Sequence, residues 1–504
     1  MTLQKPIVLS ISGDLHTDPA VLEKFSKDAS SYRILPKLVA APRNEADVAK
    51  ILRFARAEGV GVVCRGGGSG LSGAGVGEGI ILNFKKHFNR VVSVGEETVV
   101  QPGAVLDAIL RKMAEKNLML PSVPSSSAWC TLGGNVGTRS TGPRTARYGT
   151  IDEFVSSLRF VTAGGEIVDT RERLPGDLEE GIRRIRDRYL EDTESRSLVD
   201  RRPYIAGGYN LKALSAFSDE REIAAHLMVG SIGTLGIVTE IRLHLIGMKP
   251  SLGTFLAHFR DRSEFAEAAV RIKALNPAAL EFADARCSGQ ARGRFLNLSD
   301  PGTVFTMMVE FDESREQAQA GKAVLESFDI SGLKEIPSGS EDEAALWEDR
   351  RKILPSLWNY AGKRGWLLPS IIDDIAIHLK DAGSVIEAID SRLKELGHET
   401  VFFGHLGFGS IHARPYFDPG KGGLIDQVMR VSQETFTVLR AFNGTLVGEH
   451  NSGRSRSVYL KEELGPAYKY LRMIKELFDP DDVLNPGTLF DTPPIYVHMD
   501  LGGG

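Results

Sequence analysis

The chain has 504 residues, 42% of them hydrophobic and 25% charged, and a formal net charge of -5. That length exceeds one comfortable core, so two or three domains are expected, with the composition of a soluble globular protein. The charge leaves no basic footprint for nucleic acid. No apolar run approaches the ~20 residues of a spanning helix, and Met1-Thr2-Leu3-Gln4-Lys5-Pro6 lacks a signal-peptide core.

The first predicted element is a helix over 44–58. Asn44 can cap it, Glu45 and Asp47 favour its positive end, and Val48, Ile51, Leu52 and Ala55 form one apolar stripe. Gly59 stops it, and 60–64 reads as a short buried strand. A glycine-rich loop from Arg65 to Gly75 follows, then strand-like runs at 79–84 and 98–101 and a helix over 105–116. A second glycine cluster spans Thr131 to Gly137, and a third runs through Val229-Gly230-Ser231-Ile232-Gly233-Thr234-Leu235-Gly236-Ile237. Between them, 171–226 is rich in Arg, Asp and Glu and reads as a solvated helical excursion. Lys249-Pro250 marks a domain boundary. Beyond it a strand at 304–310 alternates with amphipathic helices at 314–328 and 382–396, the first opened by a capping box, Ser314-Arg315-Glu316-Gln317. The tail holds a helix over 466–478, closed by Asp479-Pro480 and the turn Leu484-Asn485-Pro486-Gly487.

Two features carry chemistry. Glycine runs let several backbone N–H groups meet one anion, because no Cβ blocks the approach. The first run lacks Gly-Lys-Ser/Thr and leads into a strand, so it is neither a Walker loop nor a dinucleotide fingerprint in its usual setting. Three separated clusters suit a long ligand, pyrophosphate in the middle and rings at both ends. The second feature is Gly404-His405-Leu406-Gly407-Phe408-Gly409-Ser410-Ile411-His412 with Gly448-Glu449-His450. Two imidazoles and a carboxylate can hold a divalent metal with an open position, and the remaining histidine is free to move protons. The intervening glycines argue for a strand and a tight bend. Taken singly, each histidine is equally an ordinary loop or core residue. Cys64, Cys130 and Cys287 are far apart with no Cys-x-x-Cys, which suits a reducing cytoplasm and denies the chain an iron–sulfur cluster or zinc finger of its own.

Pro42-Arg43-Asn44-Glu45-Ala46-Asp47-Val48, the Arg65–Gly75 loop, Pro124-Ser125-Ser126, Thr131-Leu132-Gly133-Gly134-Asn135 and Gly230 to Ile237 together resemble the FAD domain of the vanillyl-alcohol oxidase / p-cresol methylhydroxylase superfamily. The histidine cluster, Gly448-Glu449-His450 and Phe478-Asp479-Pro480 running into Leu484-Asn485-Pro486-Gly487 resemble its branch of D-lactate dehydrogenases, glycolate oxidase D subunits and D-2-hydroxyglutarate dehydrogenases. The resemblance spans roughly Asp28 to Phe490. It implies an α+β fold. A two-subdomain FAD-binding domain of the p-cresol methylhydroxylase (PCMH) type would occupy 1–248. An α+β substrate-binding cap domain with an antiparallel sheet would follow over 249–447, and a C-terminal segment, 448–504, would pack back on the FAD domain.

By the same resemblance, Arg65, Gly66, Gly67, Gly68, Ser69, Gly70, Leu71 and Ser72 hold the FAD pyrophosphate. Pro124, Ser125, Thr131, Gly134, Asn135 and Gly137 line the isoalloxazine, and Gly236 and Ile237 the adenine. His405, His412 and Glu449 match metal ligands, with zinc the expected ion, and His450 matches the catalytic base. Trp347-Glu348-Asp349-Arg350 resembles the family's Trp-x-x-Arg, whose arginine grips the substrate carboxylate. Lys363 and Arg364 are reserves for Arg350, and His378 is a reserve for His450; Arg414, two residues past His412, either faces the same site or caps the strand.

Some residues depart from the pattern. Ser69 stands where covalent members carry His, so non-covalent FAD is expected. Ile232 replaces a common Glu. Asn451-Ser452-Gly453-Arg454 replaces a glycine-rich continuation, and Ile371 to His378 carries His where Pro is common. The implied activity is oxidation of a D-2-hydroxy acid, of the lactate, glycolate or 2-hydroxyglutarate type, by a cytoplasmic enzyme. Its electrons would leave to an external cytochrome, electron-transfer flavoprotein, quinone or iron–sulfur subunit, which places it peripherally at a membrane if the acceptor sits there. A homodimer is left open. Two other readings share the FAD fold: a redox-neutral enzyme of the alkyl-dihydroxyacetonephosphate synthase type, and a non-catalytic FAD-binding subunit of a larger oxidase.

Overall fold

The computed structural model describes residues 9–203, 206–291, 293–296 and 300–501, and Met1 to Pro6 lies outside the described residues. The helix expected over 44–58 is Glu45–Glu58, preceded by a short helix, Pro19–Phe25. The Asn44 side chain accepts from the Asp47 amide at 2.9 Å, and Gly59 ends the helix at φ 63. Asp47 does more than favour the helix dipole: its carboxylate also accepts from the amides of Ser12, Gly13 and Arg43. This helix lies against a four-stranded sheet in which Leu38–Ala41, Ile80–Asn83 and Val62–Arg65 run parallel and Asp14–His16 adds an antiparallel edge. A second, five-stranded antiparallel sheet is ordered Val91–Ser93, Glu97–Val100, Ile237–His244, Val155–Val161, Ile167–Asp169.

The largest sheet has seven antiparallel strands: Ile330–Ile336, Gly253–Phe259, Phe305–Phe311, Ala279–Asp284, Thr400–His405, Ser410–Pro415 and Ile375–Ala376. Helices Arg262–Ala274, Ala382–Glu395 and Leu424–Ala441 supply apolar faces to the core on it. The molecule is thus α+β. Among the described residues, three sheets sit in the first half, the third being Leu118–Met119 with Ile246–Gly247, and one in the second. The contacts between the halves include ion pairs. Arg144 and Arg147 pair with Glu310 and Asp312, Tyr148 Oη donates to Asp312 at 2.6 Å, and Lys273 reaches the Ala146 carbonyl. Residues beyond Gly448 return to the first half. Leu460, Leu471, Ile474 and Phe478 share a core with Val136, Phe160 and Ile241, and Asn485 Nδ2 donates to the carbonyls of Ala74 and Ile232.

Three local expectations need correction. The cluster Thr131 to Gly137 is not a loop but the start of helix Leu132–Thr138, N-capped by Thr131 Oγ1 on the Gly134 amide. Its Gly133 is required by close approach, since a Cβ there would collide with Pro102. The charged stretch 171–226 is not merely solvated. Helix Gly176–Glu191 buries Leu178, Ile182, Ile185 and Tyr189 in the same core as the tail helix Tyr468–Phe478. The capping box at Ser314 is half formed. Ser314 Oγ accepts from the Gln317 amide, but the Gln317 side chain donates to the carbonyls of Leu275 and Asn276 instead of reaching back.

Candidate active site

A single cavity of about 1140 Å3 runs from the glycine loops to the histidine cluster. Strand Val62–Arg65 opens directly into Gly66 to Leu71, whose six amides have no hydrogen-bond partner among the described residues. A Cβ on Gly66 would collide with Thr131 Oγ1, and one on Gly67 with the Trp129 carbonyl. Successive free N–H groups in a loop whose Gly66 and Gly67 leave no room for a Cβ make an anion nest. The Arg65 guanidinium braces this loop by donating to the carbonyls of Gly75 and Lys27. Pro124, Ser125, Thr131, Gly134, Asn135, Gly137 and Gly236 line the same cavity with Arg65 to Leu71. Asn135 is 3% exposed and its Nδ2 has no partner, as expected of a donor kept for a ligand. These features fit a bound FAD.

Two predicted FAD residues lie elsewhere. Ser72 does not line the cavity: its Oγ donates to the His450 carbonyl at 3.2 Å, and its own carbonyl accepts from the Arg454 amide. Ile237 begins the strand Ile237–His244 and is fully buried in the core. Successive strand residues face opposite ways, so the next residue, Val238, lines the cavity. Ile232 does line it, with φ at 47. A β-branched residue there stores strain of roughly 1–3 kcal/mol. Hydrogen bonds from its amide to Gly137 and to its carbonyl from Asn485 hold it in place.

The histidine segments form the expected hairpin. Strand Thr400–His405 delivers His405, Gly409 turns at φ 78, and strand Ser410–Pro415 places His412 opposite Phe403. His405 Nε2 and His412 Nε2 stand 3.3 and 3.0 Å from the two Glu449 oxygens, and the three donor atoms lie within 4.8 Å of one another. Their other nitrogens are held from behind. His405 Nδ1 meets Glu281 Oε1 at 2.7 Å, and His412 Nδ1 donates to the Asp373 carbonyl at 2.8 Å. Ligand nitrogens turned inward, with the opposite nitrogens fixed by oxygens, are what a metal site requires. Thr141 Oγ1 donates to Glu449 from the FAD side.

Burial alone would lower the His405 pKa, but the Glu281 and Glu449 carboxylates outweigh it and hold it up at about 9. Burial opposes ionisation of Glu449, yet His405, His450 and His412 keep its carboxyl well below the usual range. A divalent ion seated among these groups would compete with a proton for the same nitrogens. His450 is the open member of the group, its side chain 27% exposed. It stacks on His412 at 5.7 Å, with Nε2 3.5 Å from Glu449 and Nδ1 3.6 Å from Asp374.

Arg350 lines the cavity, but its Nε and Nη2 lie 2.7 and 2.6 Å from Glu281 Oε2, and it stacks on Phe403. Arg414 also lines it, paired with Asp373 and accepted by Ser370 Oγ. Lys363, Arg364 and His378 do not line it, and Arg364 stacks on Tyr360 instead. Four residues were not singled out as site residues from the sequence: Glu281, Thr141, Asp373 and Asp374. The Asp374 carboxylate accepts from the amides of Gly448, Glu449 and His450 at 3.1, 2.8 and 2.8 Å. Burial would raise the Asp373 carboxyl, but the guanidiniums of Arg414 and Arg456 bring it to about 2.

Comparison with known proteins bears on the family and the fold. The family described as FAD binding domain matches residues 36–171, and FAD linked oxidases, C-terminal domain, matches 250–489. The chain is 27% identical to the glycolate oxidase subunit GlcD of Bacillus subtilis, over 96% of each chain. It is also 27% identical to a D-2-hydroxyglutarate dehydrogenase of Xanthomonas citri (97% of this chain, 96% of the relative) and to a probable mitochondrial D-lactate dehydrogenase of Danio rerio (96% and 90%). In fold it is similar to 4-ethylphenol oxidase from Gulosibacter chungangensis, with TM-score 0.67, 15% identity and 94% of each chain covered. An alkyldihydroxyacetonephosphate synthase structure matches at TM-score 0.63 and 15% identity, over 94% of this chain and 82% of that one.

Proposed function

Because the chain belongs to the FAD-linked oxidases, we propose that it oxidises a D-2-hydroxy acid to the 2-oxo acid and passes the electrons to an external acceptor. The observation that carries this reading is the juxtaposition of one open imidazole, His450, with the buried His405–His412–Glu449 set, in the same cavity as the glycine nest. When bound, FAD supplies the hydride acceptor, and a divalent ion, zinc by its two-nitrogen, one-carboxylate donor set, supplies a Lewis acid for the substrate hydroxyl.

The chain's own residues then have separable tasks. His405, His412 and Glu449 hold the ion, with Glu281 and the Asp373 carbonyl fixing the two rings. Arg350 gives part of its fork to Glu281 and keeps its remaining N–H groups for the substrate carboxylate. His450 takes the hydroxyl proton, and Asp374, beside its Nδ1, steadies the resulting cation. Two carboxylate-end anchors set the orientation that presents one Cα hydrogen, which makes the reaction stereospecific. The three scattered cysteines supply no cluster, so electrons taken up by a bound flavin would have to leave to a cytochrome, electron-transfer flavoprotein, quinone or iron–sulfur partner. Anaerobic mixing of purified protein with D- and L-2-hydroxy acids tests the reading. Flavin should bleach with D acids only, and no bleaching by any acid would point to redox-neutral or non-catalytic use of the fold.

A further inference from the structure

The acid's side chain is unassigned by that reading, and the cavity wall beside the cluster bears on it. Arg350 lies near the end of helix Glu341–Arg351, Lys352 stays in right-handed helical backbone, and helix Ile353–Gly362 follows at once. Leu354 and Trp358 are four and eight residues beyond Arg350, so the three share one side of a nearly continuous helical path. All three line the cavity, together with Pro355. At ~1.5 Å per residue the path extends roughly 12 Å. It runs outward, because Arg350 is 4% exposed, Leu354 is partly buried, and Trp358 is 42% exposed.

The wall therefore changes from cation to aliphatic to aromatic between the cluster and the mouth. Trp129, 63% exposed, lines the same cavity from the FAD side. Two indoles left open at one cavity gain by being covered with apolar surface. Arg351 and Lys352 also line the cavity, both more than half exposed and sharing the single Glu348 carboxylate at 3.3 and 3.1 Å.

We propose, resting on the dehydrogenase reading, that the substrate is a D-2-hydroxy acid with an apolar side chain longer than a methyl, alkyl or aryl, lying along Leu354, Pro355 and Trp358. Burying each added CH2 against this wall strengthens binding roughly fourfold, from ~0.8 kcal/mol per CH2. The test is anaerobic flavin reduction by glycolate, D-lactate, D-2-hydroxyhexanoate, D-2-hydroxy-3-phenylpropionate and D-2-hydroxyglutarate, in the wild type, Trp358→Ala and Trp358→Phe. The six-carbon and aryl acids should exceed D-lactate in kcat/KM by at least tenfold. Trp358→Ala should collapse that ratio toward one, and Trp358→Phe should preserve most of it. A wild type that favours glycolate or D-2-hydroxyglutarate overturns the proposal, as does a Trp358→Ala effect equal for all five acids. Bleaching by none of them removes the dehydrogenase reading itself, a different result from bleaching in the wrong order.

Discussion

Gly66 to Leu71 offers a ligand six backbone amides in a loop with no room for a Cβ at Gly66 or Gly67, whereas His405, His412 and Glu449 offer three side chains braced by Glu281, Asp373, Asp374 and Thr141. The first region is specified by the absence of atoms and the second by their accurate support. A nest of amides should be insensitive to polar exchanges nearby but intolerant of one Cβ. The cluster should fail by degrees, according to which support is removed.

The largest effect should come from Gly67→Val. Its side chain would drive into the Trp129 backbone, so purified protein should be colourless, while elemental analysis still finds metal in the cluster. A yellow variant would remove the nest from that loop. Next in size is His450→Asn. FAD and metal content should be unchanged, and flavin reduction should slow by roughly 10²–10⁴-fold for loss of a general base. Reduction at the wild-type rate would place the base elsewhere. Glu281→Gln tests the supports rather than the ligands. Competition with a chelator should show metal affinity weakened by roughly 10–100-fold with the flavin spectrum intact, and unchanged affinity would make Glu281 incidental.

The smallest effect concerns the ionic contact between the halves. Burial pushes the Glu310 carboxyl up to about 7 despite Arg144, and burial likewise raises Asp284 and Glu463 to about 7. The fold keeps protons that the unfolded chain releases near 4.5, so stability should be greatest below that pH and decline as pH rises toward about 7. The lowered Asp373 acts in a separate window, losing stability only as pH falls from 3.8 toward about 2. Thermal unfolding should therefore move down by a few degrees between pH 5 and pH 7.5, and Glu310→Gln should flatten part of that slope. A profile that rises with pH over this range would contradict the assignment.

The sequence conveyed most clearly what is local. Asn44 and Gly59 announce helix Glu45–Glu58 because capping and left-handed backbone are decided within four residues, and Gly409 announces the hairpin for the same reason. That His405, His412 and Glu449 come together was legible because they occupy two short segments. Glu281 was not, since it sits in the apolar strand Ala279–Asp284 and meets His405 across 124 residues. Nothing in the sequence assigned Asp373 and Asp374 a role, because their partners are the distant Arg414, Arg456 and the amides of 448–450. Glycine itself was ambiguous. In the first loop it frees amides, in Leu132–Thr138 it admits Pro102, and composition does not separate the two uses. Ile237 faces the core and Ser72 turns its hydroxyl to the His450 carbonyl, each one residue beyond a stretch that lines the cavity.

Asn485 has a consequence for how the protein is made. Its amide clasps the carbonyl of Ala74, 411 residues upstream, and that of Ile232, 253 residues upstream. During synthesis at ~5–20 residues per second, the ribosome emits Asn485 about 10 to 50 s after Ile232. Through that interval the flavin-facing loops lack their clasp. Flavin capture thus belongs to the end of synthesis, and nascent chains stalled before Asn485 should emerge without colour.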